Sequence, residues 1–222
     1  MYLELQEQKG AKKGLFLDGE LFCKCYPRDL VVAGLSSGAD VTQEQLQRFC
    51  KEVLLPRAKR RSLALLGKQA YTKQMMTKKL RNDGYPEEVT EQVIVYLERF
   101  HYIEDWTFGQ DYAFYRIKRM SERELSQKMQ QKGFDRETIH ASIELAKQRV
   151  EEEAREHGED VERTEISAIR IFLQKKSVRP EELDEAKKQK LIMALFRRGF
   201  QLSDIRQVLG ELECVESNFF FE

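Results

Sequence analysis

The sequence predicts a mainly α protein: three tandem three-helix repeats in an elongated array, preceded by a small N-terminal β element. Three observations carry this. A short phrase recurs as QMMTKKLRNDGY (74–85), RELSQKMQQKGF (123–134) and KLIMALFRRGF (190–200). The composition, 41% hydrophobic and 34% charged with 4 prolines in 222 residues, is that of a folded, helix-rich chain. The first 35 residues instead show short alternating apolar runs around Asp18-Gly19, a hairpin signal.

Residues 1–40 form the predicted β element, with two or three strands among YLELQEQ (2–8), LFLDGELFCKCY (15–26) and LVV (30–32). Cys23 and Cys25 alternate with Lys24 and so share a strand face. His101, His140 and His157 add no nearby ligand, so buried thiols are expected there and no metal. SSGAD (36–40) reads as a linker. Thr42 with Gln45 is a capping box that opens a linking helix over 41–56, apolar at Leu46, Phe49, Cys50, Val53 and Leu54. Pro56 is placed to break or kink it.

The repeats are expected over 57–107, 108–157 and 158–222, the last with a C-terminal tail. Each phrase carries an apolar residue eight before a glycine, another four before it, and an aromatic after it: Met76, Leu80, Gly84, Tyr85; Leu125, Met129, Gly133, Phe134; Leu191, Leu195, Gly199, Phe200. Spacing by four puts the apolar pair on one helix face. The glycine suits the left-handed residue that ends a helix, and the aromatic then packs back on the residue four before that glycine. New helices are predicted from Pro86, Asp135 and Ser203.

Val89, Val93, Ile94 and Leu97 mark the last helix of the first repeat. The second opens at Asp105 as an N-cap, with Phe108, Tyr112 and Tyr115 at helical spacing and assigned to the core. Ser121 and Glu124 form a further capping box. Ile139, Ile143 and Leu145 mark a helix running into EEEAREHGED (151–160), an acidic, exposed connector. In the third repeat come Ile166, Ile169 and Leu173, a helix from Pro180 to Arg198, then Ile205, Val208 and Leu209. The glycines are 49 and then 66 residues apart, so the third unit or its link is longer. The tail, with Phe219, Phe220 and Phe221, either caps the last repeat or hangs free.

Lysines plus arginines number 38, and so do aspartates plus glutamates, so any attraction to an anion must be local. The stretch from Arg57 to Arg81 is such a place. Arg57, Lys59, Arg60, Arg61, Lys68, Lys73, Lys78, Lys79 and Arg81 stand there against Asp83 alone. It reads either as a solvated helix surface or as a patch for an anionic partner. No apolar run of about 18 residues and no signal-peptide pattern occurs, so a cytoplasmic location, no membrane and reduced cysteines are expected. Gly-rich phosphate loops and nucleophile elbows are missing from the sequence, and the adjacent Glu104 and Asp105 would point to different sides of a helix. No enzymatic role and no cofactor are expected.

HYIEDWTFGQDYAFYRIKR (101–119) resembles the signature of the bacterial RecX family: an acidic pair before a Phe, then an aromatic and a basic residue, here Glu104, Asp105, Phe108, Tyr112 and Arg116. TKQMMTKKLRNDGY (72–85) and SERELSQKMQQKGF (121–134) extend the resemblance over roughly residues 56–155, and FRRGFQLSDIRQVL (196–209) carries it more loosely into the third repeat. Glu104 stands where the family has Asp, and Trp106 adds bulk beside it. The resemblance implies a regulator that lies along the groove of a RecA–DNA filament and restrains recombinase, ATPase and co-protease activity. RecA would be the partner, and DNA a weak one. Arg57, Arg60, Arg61, Lys68, Arg116, Lys118, Arg119, Arg197 and Arg198 are the candidate contacts, each equally readable as a solubilising or helix-terminal charge. Gly84, Gly133, Gly199, Asp105, Phe108 and Tyr112 are the structural positions of the repeat. The alternative is a direct DNA-binding module of the helix-turn-helix type. Glu87, Glu88 and Glu91 at the start of a would-be recognition helix weigh against it. A monomer is expected, since repeats supply their own neighbours.

Overall fold

The structure of the protein, a computed structural model, describes residues 1–7, 10–158, 163–179 and 183–210. The chain divides into two compact units, Met1–Glu104 and Asp105–Glu222. Among the described residues no helix is long and apolar enough to cross a membrane.

In the first unit β1 (Tyr2–Gln6), β2 (Lys13–Leu17) and β3 (Glu20–Cys25) form an antiparallel meander. A short β4 (Ala39–Asp40) pairs with the free side of β1, giving the order β3-β2-β1-β4. Asp18 and Gly19 join β2 to β3 with φ of 48° and 88°, a turn whose twist suits the flanking strands. LVV (30–32), expected as a strand, is helical instead, within α1 (Pro27–Ala33). Pro27 presets the first helical φ, and Asp29 accepts the Tyr26 N–H at 2.8 Å, so local capping overrides the β-branched run. Val31 and Val32 are exposed on that helix. SSGAD is only partly a linker, because its last two residues are β4.

The Thr42–Gln45 capping box opens α2 (Gln43–Phe49), with bonds of 3.2 and 2.8 Å. Pro56 does not break the helix that follows. Cys50–Leu54 forms a π-helical segment, in which the Leu55 N–H reaches the Cys50 carbonyl, and α3 (Leu55–Leu66) continues directly from it. The widened turn takes up the ring that would otherwise clash one turn back. Next come α4 (Lys73–Asn82) and α5 (Glu87–Arg99). Sheet and helices share one core, in which Leu3, Leu15, Cys23 and Cys25 join Leu54, Ala58, Met76, Leu80 and Val93.

In the second unit α6 (Asp105–Ile117), α7 (Glu122–Gln131) and α8 (Arg136–Glu156) close around Tyr112, Ile117, Leu125, Met129 and Ile143. The helices α9 (Thr164–Lys175), α10 (Glu185–Arg197) and α11 (Leu202–Leu209) close around Ile169, Leu173, Leu195 and Ile205.

The recurring phrases end α4, α7 and α10 in one geometry. Gly84, Gly133 and Gly199 have φ of 91°, 83° and 95°. The next residues, Tyr85, Phe134 and Phe200, donate their N–H groups to the carbonyls of Leu80, Met129 and Leu195 at 3.1, 3.2 and 3.3 Å. This is the Schellman closure, with the aromatic buried over the residue it bonds. Thr72, Ser121 and Asp184 cap the starts of the same three helices. The spans are 10, 10 and 13 residues, so the third corner helix is longer by about one turn.

Three expectations change in the second unit. The helix after the third corner begins under Gln201, two residues past the glycine like Pro86 and Asp135, and Ser203 lies inside it. The helix expected from Pro180 begins at Glu185 beneath Asp184; Pro180 itself lies outside the described residues. Tyr115 is 67% exposed and not core, because the inward face of α6 is filled by Tyr112, Ala113 and Ile117. The helix expected to run into the acidic stretch does so, as far as Glu156. Phe219, Phe220 and Phe221 lie outside the described residues.

Candidate functional site

The sheet of the first unit sits on the corner that ends α4. The Lys24 N–H donates to the Gly84 carbonyl at 2.8 Å, and a Cβ on Gly84 would stand 2.4 Å from the Lys24 Cβ. That approach sets Lys12 and Lys24 beside α3, whose Arg57, Arg60 and Arg61 share a face by their spacing of three and four. Between them lies a cleft of about 730 Å3, bordered also by Tyr26, Asp83 and Tyr85.

The charges in this cleft are unevenly matched. Arg57 makes a two-pronged ion pair with buried Asp29 and lies 4.8 Å from the Tyr26 ring centre. Its hydrogen bonds to Asp29 hold the guanidinium above its ordinary value, against partial desolvation. Arg61 Nε is 2.8 Å from Asp83 Oδ2, and Lys79 stands 3.3 Å from the other oxygen. Burial alone would raise the Asp83 carboxyl, but Arg61 and Lys79 hold it below the usual carboxylate range. Lys12 Nζ donates to the Asp83 carbonyl at 2.9 Å and lies 5.0 Å from the Tyr85 ring centre. Desolvation pushes the Lys12 ammonium down; Asp83 opposes this, while Arg57 and Arg61 add to it. Burial pushes the Tyr85 hydroxyl up to about 12. Lys24 and Arg60 have no carboxylate partner among the described residues. Three cations, Lys12, Lys24 and Arg60, are therefore left over once Asp29 and Asp83 are matched.

The structure sorts the candidate contacts accordingly. Arg57 and Arg61 are tied into the fold, Arg60 faces the cleft, and Lys68 lies beyond the end of α3 and does not line it. In the second unit Arg116 stacks 3.9 Å from the Tyr112 ring centre, Lys118 pairs with Glu153 at 3.2 Å, and Arg119 is exposed without an ion pair among the described residues. Arg197 Nε returns to the Met193 carbonyl at 3.2 Å. Arg198 pairs with Glu124 at 3.4 Å and stacks over Phe172 at 4.7 Å. Asp105 is the first residue of α6, and Phe108 and Tyr112 meet edge to face at 6.0 Å beside Phe134. Lys12, Lys24, Tyr26 and Tyr85 were not legible as site residues, since only the tertiary seating of β3 on the corner brings them to α3.

Two family models match the chain. One describes the first three-helix domain of RecX and covers residues 58–97; the other describes the third and covers 164–209. The second spans the unit whose sequence resemblance rested on 196–209 alone. The regulatory protein RecX of Clostridium acetobutylicum is 27% identical over 213 residues, covering 95% of this chain and 94% of the relative. That of Caldanaerobacter subterraneus subsp. tengcongensis is 22% identical over 207 residues, covering 93% and 96%. That of Clostridium tetani is 24% identical, covering 95% and 92%. A crystal structure of a regulatory protein RecX superposes with a TM-score of 0.53 at 18% identity, over 94% of this chain and 97% of the other. RecX from Lactobacillus salivarius gives 0.51 at 18% identity, over 71% and 96%. Alignment nearly end to end with these regulators, with family domains matched in both compact units and one corner geometry in all three repeats, makes the chain similar to the RecX family along almost its whole length.

Proposed function

We propose that the protein binds the RecA–DNA filament and restrains its recombinase, ATPase and co-protease activities. The observation that carries this reading is the same corner built three times along a chain of RecX kinship. Repeated units offer equivalent surfaces to a polymer of equivalent sites, so weak contacts add through effective concentration. Unpaired cations at Arg60 and Arg119, set among acidic helix starts, suit a groove that presents both protein and phosphate.

Direct major-groove reading by a helix-turn-helix fits less well. The helix after the first corner begins with Glu87 and Glu88, and Glu87 is already paired with Arg81. Carboxylates there repel the phosphates that flank a groove.

The test is single-stranded-DNA-dependent ATP hydrolysis by RecA, titrated with this protein well below the RecA concentration. Inhibition at substoichiometric ratios is expected. A lack of inhibition together with tight, salt-sensitive binding to bare DNA would replace this reading with the DNA-binding module.

A further inference from the structure

We propose that the cleft between the N-terminal sheet and α3 is a phosphodiester site that holds a nucleic-acid backbone through Lys12, Lys24 and Arg60. It needs no RecA, and so stands apart from the filament reading.

Three features of the cleft lead there. Its cations come from three separate segments, the β1–β2 connection, β3 and α3, and converge on one space only because β3 is seated on Gly84. Arg57 and Arg61 are matched by Asp29 and Asp83 and line the cleft without needing a further partner. Lys24 and Arg60 make no ion pair among the described residues, and Lys12 meets the Asp83 carbonyl while the Asp83 carboxylate is taken by Arg61 and Lys79. Lys12 is held half-buried among cations, and an oxyanion entering the cleft relieves that repulsion.

The shape and lining separate a backbone from an acidic peptide. A volume of about 730 Å3 admits a phosphodiester with its flanking sugars. Of the residues around it only Ala11 is aliphatic, and the Tyr85 and Tyr26 rings are already faced by Lys12 and Arg57, which leaves apolar peptide side chains little to pack on. The guanidinium fork of Arg60 and the ammonium points of Lys12 and Lys24 suit phosphate oxygens.

The experiment is anisotropy of a short labelled oligothymidylate with the full chain, without RecA, over a range of salt. Lys24→Gln, which keeps the main-chain bond to Gly84, and Arg60→Gln are each expected to weaken binding about 5- to 10-fold at low salt. Each should also lower the salt slope by about one. Lys51→Gln, an exposed lysine outside the cleft, is expected to stay within about twofold. Circular dichroism melts check that each variant folds. Unchanged affinity in both cleft variants, or equal weakening in all three, overturns the site. So does displacement of the oligonucleotide by polyglutamate as readily as by unlabelled strand, which would make the ligand an acidic protein. Displacement by inorganic phosphate at similar concentration overturns the backbone assignment. Loss of RecA inhibition leaves this result untouched, and failure here leaves the ATPase result standing.

Discussion

The main-chain N–H of Lys24 donates to the carbonyl of Gly84 at 2.8 Å, which anchors the N-terminal sheet to the corner of the first repeat. Gly84 has φ of 91°, and an added Cβ would overlap the Lys24 side chain from Cβ to Cδ. Gly84→Ala therefore meets two penalties, a left-handed alanine at about 1–2 kcal/mol and the forced retreat of β3 at a similar cost. An expected loss of about 3 kcal/mol follows. Gly158→Ala, at φ of 67° with nothing within 4 Å, should lose only the first part. Urea unfolding of the two variants tests the difference; equal losses would mean that the sheet is not held at this corner.

Arg57 and Arg60 are neighbours on one helix face with different duties. Arg57 neutralises Asp29, which is 4% exposed and also caps α1. Arg57→Ala strands that carboxylate and is expected to cost about 3 kcal/mol. Arg60→Ala, exposed and without an ion pair among the described residues, should change stability by less than about 0.5 kcal/mol. Denaturant midpoints decide it. The consequence is practical: lost partner binding in an Arg57 variant reports on folding as well, whereas Arg60 isolates the surface charge.

Much of the fold was legible because it is written locally. The glycine corners, the Thr42 and Ser121 caps and the Asp18-Gly19 turn each depend on residues a few positions apart. LVV failed because an apolar run of three has no period, and Pro27 with Asp29 outweighed it. Tyr115 failed because spacing of three or four marks a face without saying which face is inward. The cleft failed for a different reason. Arg57 to Arg61 were visible as a basic stretch, but Asp29, Lys12 and Lys24 reach them across sequence separations that no local pattern encodes.

Ser121 spends one hydroxyl on two duties. It accepts the Glu124 N–H at 3.1 Å as the cap of α7 and donates to the Arg198 carbonyl at 2.6 Å, tying the third corner to the second repeat. Ser121→Ala should cost about 2 kcal/mol, roughly half from the cap and half from the buried bond. Asp184 caps α10 from an exposed position, so Asp184→Ala should cost about 1 kcal/mol. Thermal unfolding compared across the two variants checks this. An Asp184 effect as large as that of Ser121 would remove the bridging role.

Glu165 and Asp204 bring two carboxyl groups together inside the third repeat. Glu165 is 6% exposed and Asp204 1%; Glu165 Oε1 accepts the Glu122 N–H at 3.1 Å, and Arg163 holds Asp204 at 2.7 Å. Glu165 Oε2 and Asp204 Oδ2 are buried without a donor, and a bond between the two groups needs a proton on one of them. Desolvation is the largest cause that raises the Glu165 carboxyl, with the Glu122 and Asp204 charges adding and the Glu122 N–H opposing. The folded unit thus keeps a proton that the unfolded chain releases near pH ~4.3. The linked stabilisation is complete below that pH and is lost as pH rises through the folded value. Glu165→Gln supplies a permanent donor toward Asp204 and keeps an acceptor for Glu122. It should therefore stabilise the protein by about 1 kcal/mol at pH ~7–8, with the gain shrinking toward zero near pH ~4. Melting temperatures of the two proteins across that range test the sign. A gain that does not vary with pH would mean that the pair carries no proton in the fold.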